Sequence, residues 1–186
     1  MGVVLASGSP RRRELLKMIG IEDFKVIPAG VSEELPAGLS PEETVRAIAV
    51  KKAEEVAEEC DDGDMIIAAD TLVYLDGRPF GKPEDMDDAA AMLRALSGRG
   101  HKVYSGLAVF KGGRQMTGVE VTDVFFRRIS DAEISSYVKT GEPADKAGAY
   151  GAQGRAAVFI ERIEGDFYNV MGLPLCRLSM MLNNFR

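Results

Sequence analysis

The run Met65-Ile66-Ile67-Ala68-Ala69-Asp70-Thr71-Leu72-Val73-Tyr74-Leu75 limits the fold most severely. It is apolar almost throughout and long enough for a central strand, which needs cover on both faces. Asp70 interrupts it. A carboxylate at that place is paired, metal-bound or catalytic, because an uncompensated buried charge costs several kcal/mol. A structural salt bridge or a strand-end cap would satisfy it too.

A second stretch constrains chemistry more than fold. Val3-Val4-Leu5 reads as a short strand, Ala6-Ser7-Gly8-Ser9 as a turn, and Pro10-Arg11-Arg12-Arg13 as the first turn of a helix over 10–19. Proline is tolerated at that first position because its missing N–H has no partner to lose. Basic residues beside the positive end of a helix dipole are locally unfavourable. Hydroxyls, amides and guanidinium forks gathered there make a site for an anion, most naturally phosphate. A basic surface turn is the plainer alternative.

Composition narrows the chemistry further. A chain of 186 residues with 46% hydrophobic content can bury one good core, so residues 1–186 are read as a single domain. No run reaches the roughly 18 apolar residues that span a bilayer, and the start lacks the pattern of a secretion signal. The reading is a soluble, cytoplasmic protein. A net charge of −6 argues against nucleic-acid and membrane-surface partners. Cys60 and Cys176 are isolated and offer no metal motif. One histidine, His101, excludes a His-based zinc cluster and disfavours a Ser-His-Asp triad; it is assigned a structural role. Acid–base work then falls to carboxylates, and positive charge to Arg, Lys or a divalent metal.

Local signals order the rest. Phe24–Pro28 reads as a short strand. Ser40-Pro41-Glu42-Glu43 is a capping box that opens a helix running to about Cys60. Its apolar stripe is Val45, Ile48, Ala49 and Val56, and Lys52 falls within that stripe. An ammonium there either meets an anion or lifts its head to water along a buried stem. Phe80-Gly81-Lys82-Pro83 is a small-residue loop carrying an exposed Lys. A helix over 85–97 turns Ala89, Met92, Leu93 and Leu96 inward. Strands 101–111 and 114–129 are joined by Gly112-Gly113, a two-residue hairpin signal. Ser130-Asp131-Ala132-Glu133 caps a further helix that ends at Gly141. Residues 141–154 hold four glycines and one proline, a loop of tight geometry. Strands are predicted at 156–163 and 167–170, and a helix from about Pro174. This mixture of βα units and hairpins predicts an α/β fold, a three-layer α/β/α domain on a mixed, partly antiparallel sheet. Ligands bind at strand ends in such folds.

The blocks Ala6–Leu16, Lys52-Ala53, Ala69-Asp70-Thr71, Gly81-Lys82-Pro83, Leu96-Ser97-Gly98 with His101, Val121-Thr122-Asp123-Val124, Gly141-Glu142-Pro143 through Gly154, and Asn169-Val170-Met171-Gly172-Leu173-Pro174 occur in order over the whole chain. Together they resemble the Maf proteins, nucleoside triphosphate pyrophosphatases once described as septum formation inhibitors. The resemblance implies a Maf/inosine-triphosphatase-like fold and a divalent metal, Mg²⁺ before Mn²⁺. It implies hydrolysis of a nucleoside triphosphate to monophosphate and pyrophosphate, and a homodimer. The block Asp145–Gly154 looks like the dTTP/UTP branch. In that family the position matching Asp70 is the proton acceptor, and those matching Arg12, Thr71 and Gln153 go with substrate choice. Ala152, where a larger aliphatic residue is common, and the added charge of Arg155 depart from the pattern; both bear on base preference.

The expected site follows. The catalytic set is Asp70, Lys52, Lys82 and Glu33, with Asp70 and Glu33 on the metal. The substrate contacts are Ser7, Ser9, Arg11, Arg12, Arg13, Thr71, Lys146 and Gln153. Asp70 orients or deprotonates a water attacking the α-phosphorus, and the cations balance the phosphates. Two other functions fit the same residues: a pyrophosphatase for 7-methyl-GTP or non-standard purine nucleotides, and a nucleotide-binding regulator of septum formation.

Overall fold

The computed structural model describes residues 2–31 and 38–185. In chain order the elements are β1 (Val3–Leu5), α1 (Pro10–Met18), β2 (Lys25–Val26), α2 (Pro41–Ala57), β3 (Met65–Leu75), β4 (Arg78–Phe80), α3 (Met86–Leu96), β5 (Gly100–Lys111), β6 (Arg114–Phe126), α4 (Asp131–Val138), β7 (Ile160–Glu164), α5 (Phe167–Val170) and α6 (Leu175–Asn183). Three 3₁₀ turns, Glu142–Asp145, Ala147–Ala149 and Arg155–Phe159, lie between α4 and β7. The strands form one seven-stranded sheet in the order β2-β1-β3-β5-β6-β7, with β4 on β3. β1 runs parallel to β2 and β3, whereas β4 and β7 pair antiparallel with β3 and β6. This is the mixed α/β sheet that the element order predicts.

Local chemistry sets the boundaries. Ser40 accepts from the N–H of Glu43 while the Glu43 side chain accepts from the N–H of Ser40, and Ser130 and Glu133 repeat the arrangement at α4. Arg127 donates to Glu133, and with the capping bonds from Ser130 it holds that carboxyl down at about 2. Gly112 and Gly113 both take positive φ, 55° and 75°, which the two-residue turn between β5 and β6 demands.

The chain divides into two compact units. The first comprises Met1–Thr71, Ser105–Glu120 and Gly172–Arg186. Its core sets Ala49, Ala53 and Val56 of α2 against Val4, Ile66 and Ala108 of the sheet, all 4% exposed or less. A Cβ on Gly106 would lie 2.1 Å from the Val45 carbonyl oxygen, so only glycine lets α2 and β5 approach this closely.

The second unit comprises Leu72–Tyr104 and Val121–Met171. Ala89, Leu93 and Leu96 of α3 pack with Ile134 and Tyr137 of α4 and with Val73, Val103 and Val124. Phe126 and Tyr150 meet edge to face at 4.8 Å.

Two strand expectations fail here. Residues 155–159 wind into a 3₁₀ turn, so the strand predicted over 156–163 starts at Ile160. Residues 167–170, predicted as a strand, form α5. The Asp166 carboxylate accepts from the N–H groups of Tyr168 and Asn169, and that cap decides for helix in a run too short to declare its period.

Candidate active site

In the first unit the sequence Ser7–Arg13 folds as a turn into α1. Ser9 is the N-cap, yet its hydroxyl makes no capping bond and no acidic residue occupies the first turn. Helices α2, α3 and α4 all have a side-chain cap and first-turn carboxylates. The positive end of α1 is therefore left to three arginines, which suits an anion and little else.

Arg12 is the hub of this turn. Its Nε donates to the Gly172 carbonyl at 2.8 Å, Nη1 to Ser7 Oγ at 3.1 Å and Nη2 to Thr71 Oγ1 at 3.2 Å. Ser7, only 7% exposed, also accepts from the N–H of Ser9 at 3.3 Å. Arg13 is exposed and donates to the Gly8 carbonyl at 3.0 Å. Gly172 holds φ at 103°, a conformation that L side chains rarely adopt, and so turns its carbonyl to Arg12.

Lys52 and Asp70 meet beside this hub in the chain. Lys52 Nζ donates to Asp70 Oδ1 at 2.6 Å, and both side chains are about one-tenth exposed. The two anomalies in the apolar pattern explain each other, and Lys52 meets an anion instead of lifting its head to water. Asp70 Oδ2 is buried and, among the described residues, accepts no hydrogen bond. A buried carboxylate oxygen without a partner is costly, so this one is available to a proton, a water or a cation. The next residue, Thr71, lies 2.7 Å from Ser105 Oγ and 3.4 Å from the Gly172 carbonyl oxygen.

The donor set fits a hard divalent cation of the Mg²⁺ kind, which takes one or two carboxylates and completes its shell with water and phosphate oxygens. Among the described residues no three His, Cys, Asp or Glu side chains are grouped to hold a metal unaided. Glu33, expected as the second carboxylate, lies outside the described residues.

Arg11 is half-buried in the first turn of α1. The remaining expected residues belong to the second unit. Lys82 is exposed, beside Gly81, whose carbonyl accepts from the N–H of Gly148 at 3.0 Å. Lys146 donates to the Glu142 carbonyl and to Asp145, both at 2.6 Å. Gln153 is exposed within a turn closed by the N–H of Gly154 on the Gly151 carbonyl at 3.0 Å. Glu142 braces that turn: its carboxylate accepts from the N–H of Arg155 and from the Tyr137 hydroxyl, each at 3.1 Å. His101 takes a structural place, 3% exposed, with Nε2 2.8 Å from the Tyr150 hydroxyl. Burial pushes its pKa down to about 4 against the opposing pull of Asp123.

Three contributors escaped the sequence reading of the site. Ser105 gave one signal, a polar residue inside a buried apolar strand. Gly172 acts through its carbonyl and Glu142 through contacts far along the chain, neither of which local pattern reports.

A family profile described as Maf-like protein matches residues 2–185. The chain belongs to the Maf family. Curated relatives named dTTP/UTP pyrophosphatase include those of Pelotomaculum thermopropionicum, 51% identical over 185 residues covering 98% of this chain and 96% of the relative, and Dictyoglomus turgidum, 50% identical over 186 residues covering 98% and 95%. That of Caldicellulosiruptor bescii is 48% identical over 97% of this chain and 92% of its own. Among solved structures, a HAM1 protein from Coxiella burnetii superposes with a TM-score of 0.54 over 98% of both chains at 18% identity. The Staphylococcus aureus Ham1 protein does so with 0.54 over 99% of both at 15% identity. Those two show that the Maf chain shares their fold.

Proposed function

We propose that this Maf protein is a nucleoside triphosphate pyrophosphatase that hydrolyses dTTP and UTP to the monophosphate and pyrophosphate. Full-length relatives at 48–51% identity carry that name. The observation that carries the chemistry is the buried Asp70 carboxylate, with one oxygen on Lys52 and the other unpartnered.

In this reading the phosphate chain lies against Ser7, Ser9 and the arginines of the α1 turn. Arg13 and Arg11 supply charge, and Arg12 holds the turn in shape. Asp70 Oδ2 accepts the proton of the water that attacks the α-phosphorus, and Lys52 holds the carboxylate in place for it. Positioning and charge stabilisation suffice for phosphoryl transfer, which suits a site without a Cys or His nucleophile. Asp70 and Glu33 would hold a Mg²⁺ ion, which would supply charge neutralisation on the phosphates. The family resemblance associates Thr71 and Gln153 with choice of the pyrimidine. For Lys82, Lys146 and Gln153 the support is the family resemblance. The same resemblance, and the prevalence of two-fold assemblies, support a homodimer. Action in the cytoplasm is part of this proposal; no helix among the described residues is long and apolar enough to cross a membrane.

A panel of triphosphates with Mg²⁺ and pyrophosphate detection tests the function. UTP and dTTP should release pyrophosphate fastest. Preference for 7-methyl-GTP or a non-standard purine, or binding without release, would replace this reading by the corresponding alternative.

A further inference from the structure

Two consecutive residues of the second unit, Gly148 and Ala149, hold φ at 69° and 61°. Asp76 also has positive φ, 51°, but it sits in an Asp-Gly turn, where aspartate tolerates that conformation. Ala149 has no such latitude, and it is wholly buried. Strain of this kind persists only where the surroundings over-determine it, and it gathers at functional sites.

The turn is held from three directions. The Ala149 N–H donates to the Lys146 carbonyl at 3.0 Å. Gly148 lies so close to β3 that a Cβ on it would stand 3.0 Å from Val73 Cγ2. Tyr150, 6% exposed, packs edge to face on Phe126 at 4.8 Å and on His101 at 5.4 Å, and its hydroxyl is 2.8 Å from His101 Nε2. What this effort delivers is one amide: the Gly148 N–H donates to the Gly81 carbonyl at 3.0 Å. That carbonyl belongs to the peptide group joining Gly81 to Lys82. A peptide group is planar, so holding its oxygen also places the nitrogen and Cα of Lys82. On the other side, Pro83 keeps Lys82 out of the helical region.

We propose that Gly148 is a positioning residue for Lys82: the strained turn, anchored by Tyr150, fixes the backbone from which that lysine reaches the phosphates. A lysine on an exposed loop loses freedom when it meets its ligand, and a backbone ordered beforehand lowers that cost. The inference rests on the reading above in which Lys82 belongs to the catalytic set.

The test measures kcat/KM for pyrophosphate release from UTP in the wild type, Gly148→Ala, Tyr150→Phe, Lys82→Ala and the two double variants with Lys82→Ala. Gly148→Ala presses a methyl group on Val73 and should lose about tenfold, since misplacing a group by about 1 Å can cost about 10²-fold. Tyr150→Phe keeps the ring but removes the hydroxyl and should lose about threefold. With Lys82 already truncated, each should cost less than about twofold, because nothing is left to position. Equal losses in both backgrounds would mean that the turn supports the fold in general, and overturn the proposal. So would a folded Gly148→Ala protein at parent activity. Should Gly148→Ala not fold, Tyr150→Phe decides by itself: no loss, or the same loss in both backgrounds, overturns the proposal. Parent activity in Lys82→Ala overturns instead the reading on which the proposal stands.

Discussion

Each unit of the molecule holds one carboxylate with a defined set of partners, and the two carboxylates are finished differently. Asp70 in the first unit gives one oxygen to Lys52 and leaves the other buried without a partner. Glu142 in the second unit accepts from Arg155 and Tyr137, and its own carbonyl accepts from Lys146. Gly151 and Gly154 are pressed so closely on Lys146 and Glu142 that a Cβ would lie 2.7 Å and 2.0 Å from their side chains. A saturated carboxylate fixes a chain path. A half-satisfied buried one retains capacity for chemistry, at an energetic cost that the surrounding packing bears.

The sharpest way to break the contrast is Asp70→Asn. The variant should lose about 10²–10⁴-fold in kcat on UTP, the range for removing a general base. Activity at the parent level would make Asp70 as structural as Glu142. Lys52→Ala comes next. Its expected loss is about 10²–10³-fold in rate, with a drop of about 3 kcal/mol in urea-melt stability because Asp70 is left buried and uncompensated. A stable, active Lys52→Ala protein would show that the pair contributes neither.

Much of the fold was legible before any coordinates. Ser40-Pro41 and Ser130 announce their helices through contacts three residues away, and Gly112-Gly113 announces a turn through backbone conformation alone. The apolar stripes of α2 and α3 are likewise local. The chain around 155–170 was misread because its decisive contacts are not. Arg155 is caught by Glu142, thirteen residues earlier, and residues 167–170 follow the Asp166 cap instead of extending. At the site, Lys52 and Asp70 were each visible as a charge out of place. That they answer each other depends on strand and helix placement no pattern reports. Ser105 looked like any strand serine until its distance to Thr71 was known.

Acidity separates the two units in a further way. His101 in the second unit is buried neutral, with its pKa lowered to about 4. An unfolded chain takes up that proton near the ordinary value of about 6.5. Stability is therefore fully present above that value and is lost as pH falls toward the folded pKa, because only the unfolded state binds the proton. Lowering pH from 7 to 5 should cost about 2 kcal/mol in a urea melt. His101→Gln should flatten that slope, and a slope that survives would place the sensitivity elsewhere.

The smallest expected effect belongs to Glu142. Glu142→Gln keeps one acceptor oxygen and should lower stability by about 1 kcal/mol. Hydrogen exchange at the Arg155 amide should speed up while that at Arg13 stays as it was. Equal change at both amides would mean that Glu142 braces more than its own loop.

Arg12 reaches its carbonyl partner 160 residues further along the chain. On the ribosome, the arginine turn is made well before the peptide group that fixes its shape. Until that glycine has been added, a nascent chain carries the cationic segment without its finished form.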